Sequence, residues 1–220
     1  MARLKTAVLI SGRGSNMQAL IDAAADPAYP AEISVVIASR PDAAGLDRAR
    51  ATGIAAVGLD RKAYGDREAF EAAIQQELEQ HGVECVCLAG FMRLLSDGFT
   101  RQWRDRLINI HPSLLPAFKG LDVHRRVLEA GVRFSGCTVH FVRPEMDAGP
   151  IIVQAAVPVH SGDTEDALAA RVLAAEHRCY PLALRLVADG SARVVGEVVR
   201  IDGAEAPVST LFNPRLSAAD

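Results

Sequence analysis

An asparagine and a histidine two positions apart, Asn109 and His111, follow the apolar pair Leu107-Ile108 and precede Pro112. In extended chain, side chains two apart point the same way. Pro112 lacks an N–H, so it ends the strand ladder and turns the backbone out of the sheet. The spacing sets an amide donor beside an imidazole at the carboxyl end of a strand, where open α/β sheets bind their ligands. Such a pair can hold a developing oxyanion and move a proton. These residue types specify an oxyanion site but no substrate.

Other segments carry weaker chemistry. Ser11-Gly12-Arg13-Gly14-Ser15-Asn16 is a glycine-rich turn between the first strand and the first helix. Backbone N–H groups and a helix N-terminus there form an anion site, and Ser15 or Asn16 can cap the helix or bond a phosphate. It is not a P-loop, because the Gly-Lys-Ser/Thr ending is missing, and it matches the dinucleotide fingerprint only in part. Gly90-Phe91-Met92-Arg93-Leu94-Leu95 follows another strong strand; its spacing alone reads as core packing, with a wall for a flat heterocycle as the alternative. Asp147 in Met146-Asp147-Ala148-Gly149-Pro150 is a turn former by default and a carboxylate partner for an imidazole otherwise. Glu176 and Arg67 read as solvated helix residues unless a ligand claims them. His140 reads as a satisfied core histidine, His124 as a helix start. Cys85, Cys87, Cys137 and Cys179 lack zinc spacing and read as free, buried thiols, with no metal site implied.

The elements that must position these residues alternate. Strands are expected at 6–10, 33–38, 55–58, 83–89 and 106–110, with helices at 17–25, 43–51, 67–81 and 97–103 between them. Phe70, Ile74 and Leu78 give the third helix its apolar stripe. That alternation implies a parallel, right-handed, doubly wound half. After His111 the pattern changes to two strands, 134–142 and 151–157, joined by a long loop. A long helix is expected at 164–186, kinked or shortened by Pro181. A last strand or hairpin at 194–201 and a loose tail from Ala204 complete the chain. The fold class expected is α/β, a Rossmann-like parallel N-terminal half continuing into a mixed sheet with antiparallel strands. We divide it as one domain over 1–190, with halves 1–110 and 111–190, and a C-terminal strand or tail over 191–220.

Composition bounds the partners. The chain has 220 residues, half of them hydrophobic, and a formal charge of −3. A nucleic-acid partner would call for a basic face, which this balance does not offer. No apolar run approaches the roughly 20 residues of a membrane span, and the N-terminus lacks the apolar core of a secretory signal. A cytoplasmic location is expected.

Taken together, these segments resemble the formyltransferase family, and most of all its glycinamide ribonucleotide branch. The matching stretches are Ser11-Gly12-x-Gly14-Ser15-Asn16, Asp66-Arg67-Glu68-Ala69, Leu88 to Leu95, Asn109 to Pro116, Thr138 to Val142, Asp147-x-Gly149-Pro150, and Glu176-His177 with Tyr180-Pro181. The resemblance implies formyl transfer from 10-formyltetrahydrofolate to the amine of glycinamide ribonucleotide, with no metal. It implies that Asn109, His111 and Asp147 are catalytic. It implies that Gly14, Ser15 and Asn16 hold the phosphate and that Glu176 contacts the rest of the ribonucleotide. Arg67, Met92, Arg93, Leu94, Leu95 and Arg143 to Asp147 would line the folate pocket. Arg13 stands where some relatives carry a small polar residue, and the loop from Ala117 to Asp122 departs from some members. Formyltetrahydrofolate deformylase is the rival within the family; it usually carries an extra N-terminal domain. Methionyl-tRNA formyltransferase would need a further RNA-binding domain and a basic surface. A nucleotide-binding module without activity is the non-enzymatic alternative. A monomer or a homodimer is expected.

Overall fold

A computed structural model describes residues 2–203, 205 and 207–214. The described strands β1 (Leu4–Ile10), β2 (Ala31–Ala38), β3 (Ala55–Gly58), β4 (Cys85–Leu88), β5 (Leu107–His111), β6 (Phe134–Phe141) and β7 (Ile151–Pro158) form one sheet. Its order is β3-β2-β1-β4-β5-β6-β7. The first five strands are parallel, and β5, β6 and β7 pair antiparallel. The expected fold class is what the structure shows.

Period-2 alternation along the strands builds a core on each face. Val8 and Ile10 of β1 pack on one side with Met17, Leu20 and Tyr180, whereas Ala7 and Leu9 pack on the other with Phe70, Ile74 and Leu78. The first face carries α1 (Ser15–Ala24), α2 (Ala44–Ala51), α5 (Val123–Glu129) and α6 (Glu165–Ala188). The second carries α3 (Arg67–Gln80) and α4 (Asp97–Gln102). The order reverses at β1 and β4, and the site lies outside the carboxyl ends of these strands, where a crevice forms.

Pro181 does not end the long helix; α6 runs unbroken through it for 24 residues. The proline costs one N–H, but its neighbour Tyr180 is fully buried. The Tyr180 hydroxyl lies 3.0 Å from the Leu88 carbonyl and 3.2 Å from that of Ile108, and the Tyr29 hydroxyl donates to the Pro181 carbonyl at 2.7 Å. These tertiary contacts hold the helix where local propensity would break it. Strand β4 is shorter than expected, and β5 extends one residue further, so that His111 is its last residue. The last segment is a separate hairpin of β8 (Ala192–Val195) and β9 (Val198–Ile201). The expected loose tail lies partly outside the described residues. Within them, the Asn213 amide donates to the Val159 carbonyl at 3.0 Å and also to that of Arg133.

Candidate active site

The glycine-rich turn follows from its backbone. Gly14 caps α1 with φ 71° and ψ 36°, a left-handed conformation natural to glycine. A Cβ at Gly14 would lie 3.2 Å from the Gly45 Cα, so glycines on both sides let the turn and α2 meet closely. The Gly45 N–H donates to the Gly12 carbonyl at 3.1 Å and braces the loop. No side chain caps α1 and its first turn holds no acidic residue. Its leading N–H groups therefore keep their donor capacity and a partial positive charge. A cleft of about 290 Å³ opens in front of them, lined by residues 11–16, Ala89, Gly90 and Met92. Ser11 joins its walls: its hydroxyl lies 2.7 Å from that of Ser39 and accepts the Met92 N–H at 2.9 Å.

Glu176 corrects the surface reading of α6. It is only 6% exposed, and its carboxylate accepts the Asn16 amide at 2.7 Å. Burial raises its pKa above the ordinary carboxylate value, and the Asn16 bond partly opposes that. The Asn16 Oδ1 is buried without a partner.

At the end of β5, both ring nitrogens of His111 face acceptors. Nε2 donates to the Phe118 carbonyl at 3.0 Å, and Nδ1 lies 3.4 Å from an Asp147 oxygen. A doubly protonated ring can donate to both. The same Asp147 oxygen accepts the Gly120 N–H at 2.9 Å, which ties the loop after the motif to the β6–β7 loop. Asp147 has φ 51°, so a left-handed turn aims its carboxylate inward. Asp147 is thus both the turn residue and the imidazole partner.

His140 is the residue that sequence reading left in the core. The register puts it directly across from Asn109. Its Nδ1 lies 3.0 Å from the Phe141 carbonyl, which can only accept, so Nδ1 carries the proton. Its Nε2 then accepts the Asn109 amide at 3.2 Å. Burial lowers the His140 pKa and keeps the ring neutral. The signal for this lies in strand register, which spacing within one strand does not carry. Thr138 is a second such residue: it donates to the Ser113 carbonyl at 2.7 Å and accepts the Leu115 N–H at 3.0 Å, which shapes the loop after His111.

The expected pocket residues divide. Arg67, Arg93, Leu94 and Leu95 line a second cleft of about 230 Å³ with Arg61, Phe70 and Glu71. Met92 instead lines the cleft at the glycine turn. Arg143 joins neither set. It is buried, with its guanidinium on Asp105 at 2.7 Å and Glu197 at 2.8 Å. Its side chain anchors the loop that carries Asp147. The four cysteines are buried and free. No helix of the described residues is long and apolar enough to cross a membrane.

Comparison with known proteins agrees with this architecture. The formyl transferase family model matches residues 4–184. The trifunctional purine biosynthetic protein adenosine-3 of Gallus gallus is 51% identical over 90% of this chain, which spans 20% of that protein's length. The phosphoribosylglycinamide formyltransferase of Escherichia coli is 45% identical, covering 91% of this chain and 94% of its own. Glycinamide ribonucleotide transformylase 1 from Symbiobacterium toebii superposes with a TM-score of 0.88 at 50% identity, over 90% of this chain and 94% of its own. A formyltetrahydrofolate deformylase from Pseudomonas syringae shares the fold at 24% identity, with a TM-score of 0.83. The family model spans most of the chain and a full-length relative is 45% identical, in keeping with a glycine turn and an Asn109–His111 strand end at the carboxyl ends of the parallel strands and an Asp147 brought to His111 by the β6–β7 loop: this chain belongs to the formyl transferase family.

Proposed function

We propose that the chain transfers the formyl group of 10-formyltetrahydrofolate to the primary amine of glycinamide ribonucleotide, a step of purine (IMP) biosynthesis. The observation that carries this reading is the His111–Asp147 pair at 3.4 Å at the end of the strand that holds Asn109, in a sheet whose first strand leads at its own carboxyl end into a helix N-terminus that no side chain caps. Gly14, Ser15 and Asn16 hold the ribonucleotide phosphate with backbone N–H groups and the helix dipole. Glu176 and the free Oδ1 of Asn16 accept hydrogen bonds from the rest of that substrate. Arg67, Arg93, Leu94 and Leu95 face the folate, and the exposed Met92 lies between the two substrates. Arg143 serves by holding its loop.

In the reaction, the substrate amine attacks the formyl carbon and the formyl oxygen becomes negative. Asn109 donates to that oxygen; one such donor is typically worth about 3 kcal/mol of transition-state stabilisation. His140 holds the Asn109 amide by accepting one of its two hydrogens, which leaves the other for the oxyanion. Protonated His111 adds positive charge, and Asp147 sustains that charge. Asp147, through a water, carries the proton from the attacking nitrogen to the folate nitrogen, and the oxyanion then collapses to a carbonyl as the bond between the formyl carbon and that nitrogen breaks, releasing tetrahydrofolate. Alignment of the two substrates supplies much of the rate.

The test is absorbance of formyl-folate consumption with and without glycinamide ribonucleotide. Turnover that requires the amine supports formyl transfer. Equal turnover without it means a deformylase, and none in either case means a binding module.

A further inference from the structure

The β8–β9 hairpin lies beyond residue 184, where the family match ends, yet it reaches Arg143 at the start of the β6–β7 loop. Glu197 at its tip accepts from Arg143 Nε at 2.8 Å and is also paired with Arg104. Arg143 opens the β6–β7 loop, and its other nitrogens donate to Asp105 at 2.7 Å and to the Val142 carbonyl at 3.2 Å. The stem of the same side chain packs on the far end of the loop, 3.3 Å from where a Cβ of Gly149 would sit. The Phe141 N–H closes the loop base on the Pro150 carbonyl at 2.9 Å. One arginine thus touches both ends of the segment whose middle presents Asp147 to His111. The Arg143 side chain is only 8% exposed, so its charge is held away from water and needs its carboxylates.

We propose that Glu197 is a positioning residue: through Arg143 it sets the loop that aims Asp147 at His111. This rests on the formyl-transfer reading of the site. Asp105 alone cannot fix the guanidinium in two directions, because it engages only one terminal nitrogen. Glu197 engages Nε and fixes the rotation of the whole side chain. Loss of Glu197 frees that rotation, relaxes the loop and lowers the fraction of molecules with Asp147 in place.

The experiment uses the full chain with Glu197→Gln, Glu197→Asp and, as a control on the hairpin itself, Asp202→Asn. Asp202 pairs with Arg193 across the hairpin with both side chains exposed, a pair of small energetic weight, whereas Glu197, itself 59% exposed, pairs with an Arg143 that is 8% exposed. Formyl transfer is read as kcat and KM, and hydrogen exchange over residues 143–150 is read without substrates. Glu197→Gln is expected to lower kcat about tenfold while KM for the amine stays within about twofold. It is also expected to raise exchange in the loop. Glu197→Asp recovers most of the kcat, and Asp202→Asn matches the wild type in both readouts. Wild-type kcat or unchanged loop exchange in Glu197→Gln overturns the proposal. So does an equal kcat loss in Asp202→Asn, which would mean general hairpin stability. If the wild type shows no formyl transfer, the functional reading falls, while exchange still decides whether Glu197 holds the loop.

Discussion

The Asn16 amide nitrogen and the Glu176 carboxylate lie 2.7 Å apart, which joins the first helix to the last across 160 positions of sequence. The bond places a buried carboxylate against Asn16, one of the residues that line the glycine-turn cleft. Burial raises the Glu176 pKa, so folding penalises the ionised form.

Glu176→Gln tests that arrangement by separating stability from binding. The raised pKa means that the carboxyl's contribution to stability is full below the ordinary value of 4.5 and is lost as pH rises through its folded value. Gln keeps an oxygen to accept from Asn16 and removes the charge. At pH 8 the variant is expected to be more stable by on the order of 1 kcal/mol in urea titration. Its KM for the amine substrate is expected to rise about tenfold, as a charged hydrogen bond is lost. A variant less stable than wild type at pH 8 contradicts the account.

Gly149 is a steric prediction. A Cβ there would overlap the Phe141 carbonyl oxygen and lie 2.8 Å from its carbon, both backbone atoms of β6. Neither can swing aside as a flexible side chain does. Gly149→Ala must move the β6–β7 loop, and with it Asp147. The expected cost is about 2–3 kcal/mol in urea unfolding, together with a fall in kcat. Wild-type stability and rate in this variant would show that the loop accommodates the methyl group.

His140 gives the pH dependence. Its folded pKa is lowered, chiefly by burial, from an ordinary value of 6.5. A depressed pKa contributes stability that is present above the unfolded value and lost as pH falls toward the folded one. His124, also lowered by burial, acts in the same direction. Glu176 acts in the opposite direction, so the Glu176→Gln background exposes the histidine effect. Urea midpoints in that background are expected to fall from pH 7 to pH 5, and to fall less steeply with His140→Asn added. Equal slopes would mean that His140 titrates freely in the folded protein.

The sheet was legible because its signals are local. Thr6 to Ile10 and Leu107 to Ile110 are short apolar runs, and the stripe of Phe70, Ile74 and Leu78 has a helical period. Asn109 and His111 were legible for the same reason, since a two-residue step fixes their common direction. Asp147 was not, because its spacing reads as a turn, and only its φ of 51° and the Gly120 bond show the turn aiming it inward. Its promotion to a catalytic candidate came from family resemblance. His140 and Glu176 depend on contacts between distant elements: a strand register in one case, a helix packed across the sheet in the other. Only the family resemblance implied Arg143 as a ligand-pocket residue, and its side chain is held instead by two carboxylates distant in sequence, Asp105 and Glu197.

The most direct test of the central claim is the turnover of Asp147→Asn with both substrates saturating. Asn preserves the shape and an oxygen to accept the Gly120 N–H, but it removes the charge facing His111 and the base that carries the proton. The account predicts a folded protein of near wild-type thermal midpoint whose kcat for amine-dependent formyl transfer falls about 10³-fold, with His111→Ala similarly impaired. Near-normal kcat in either folded variant would contradict it.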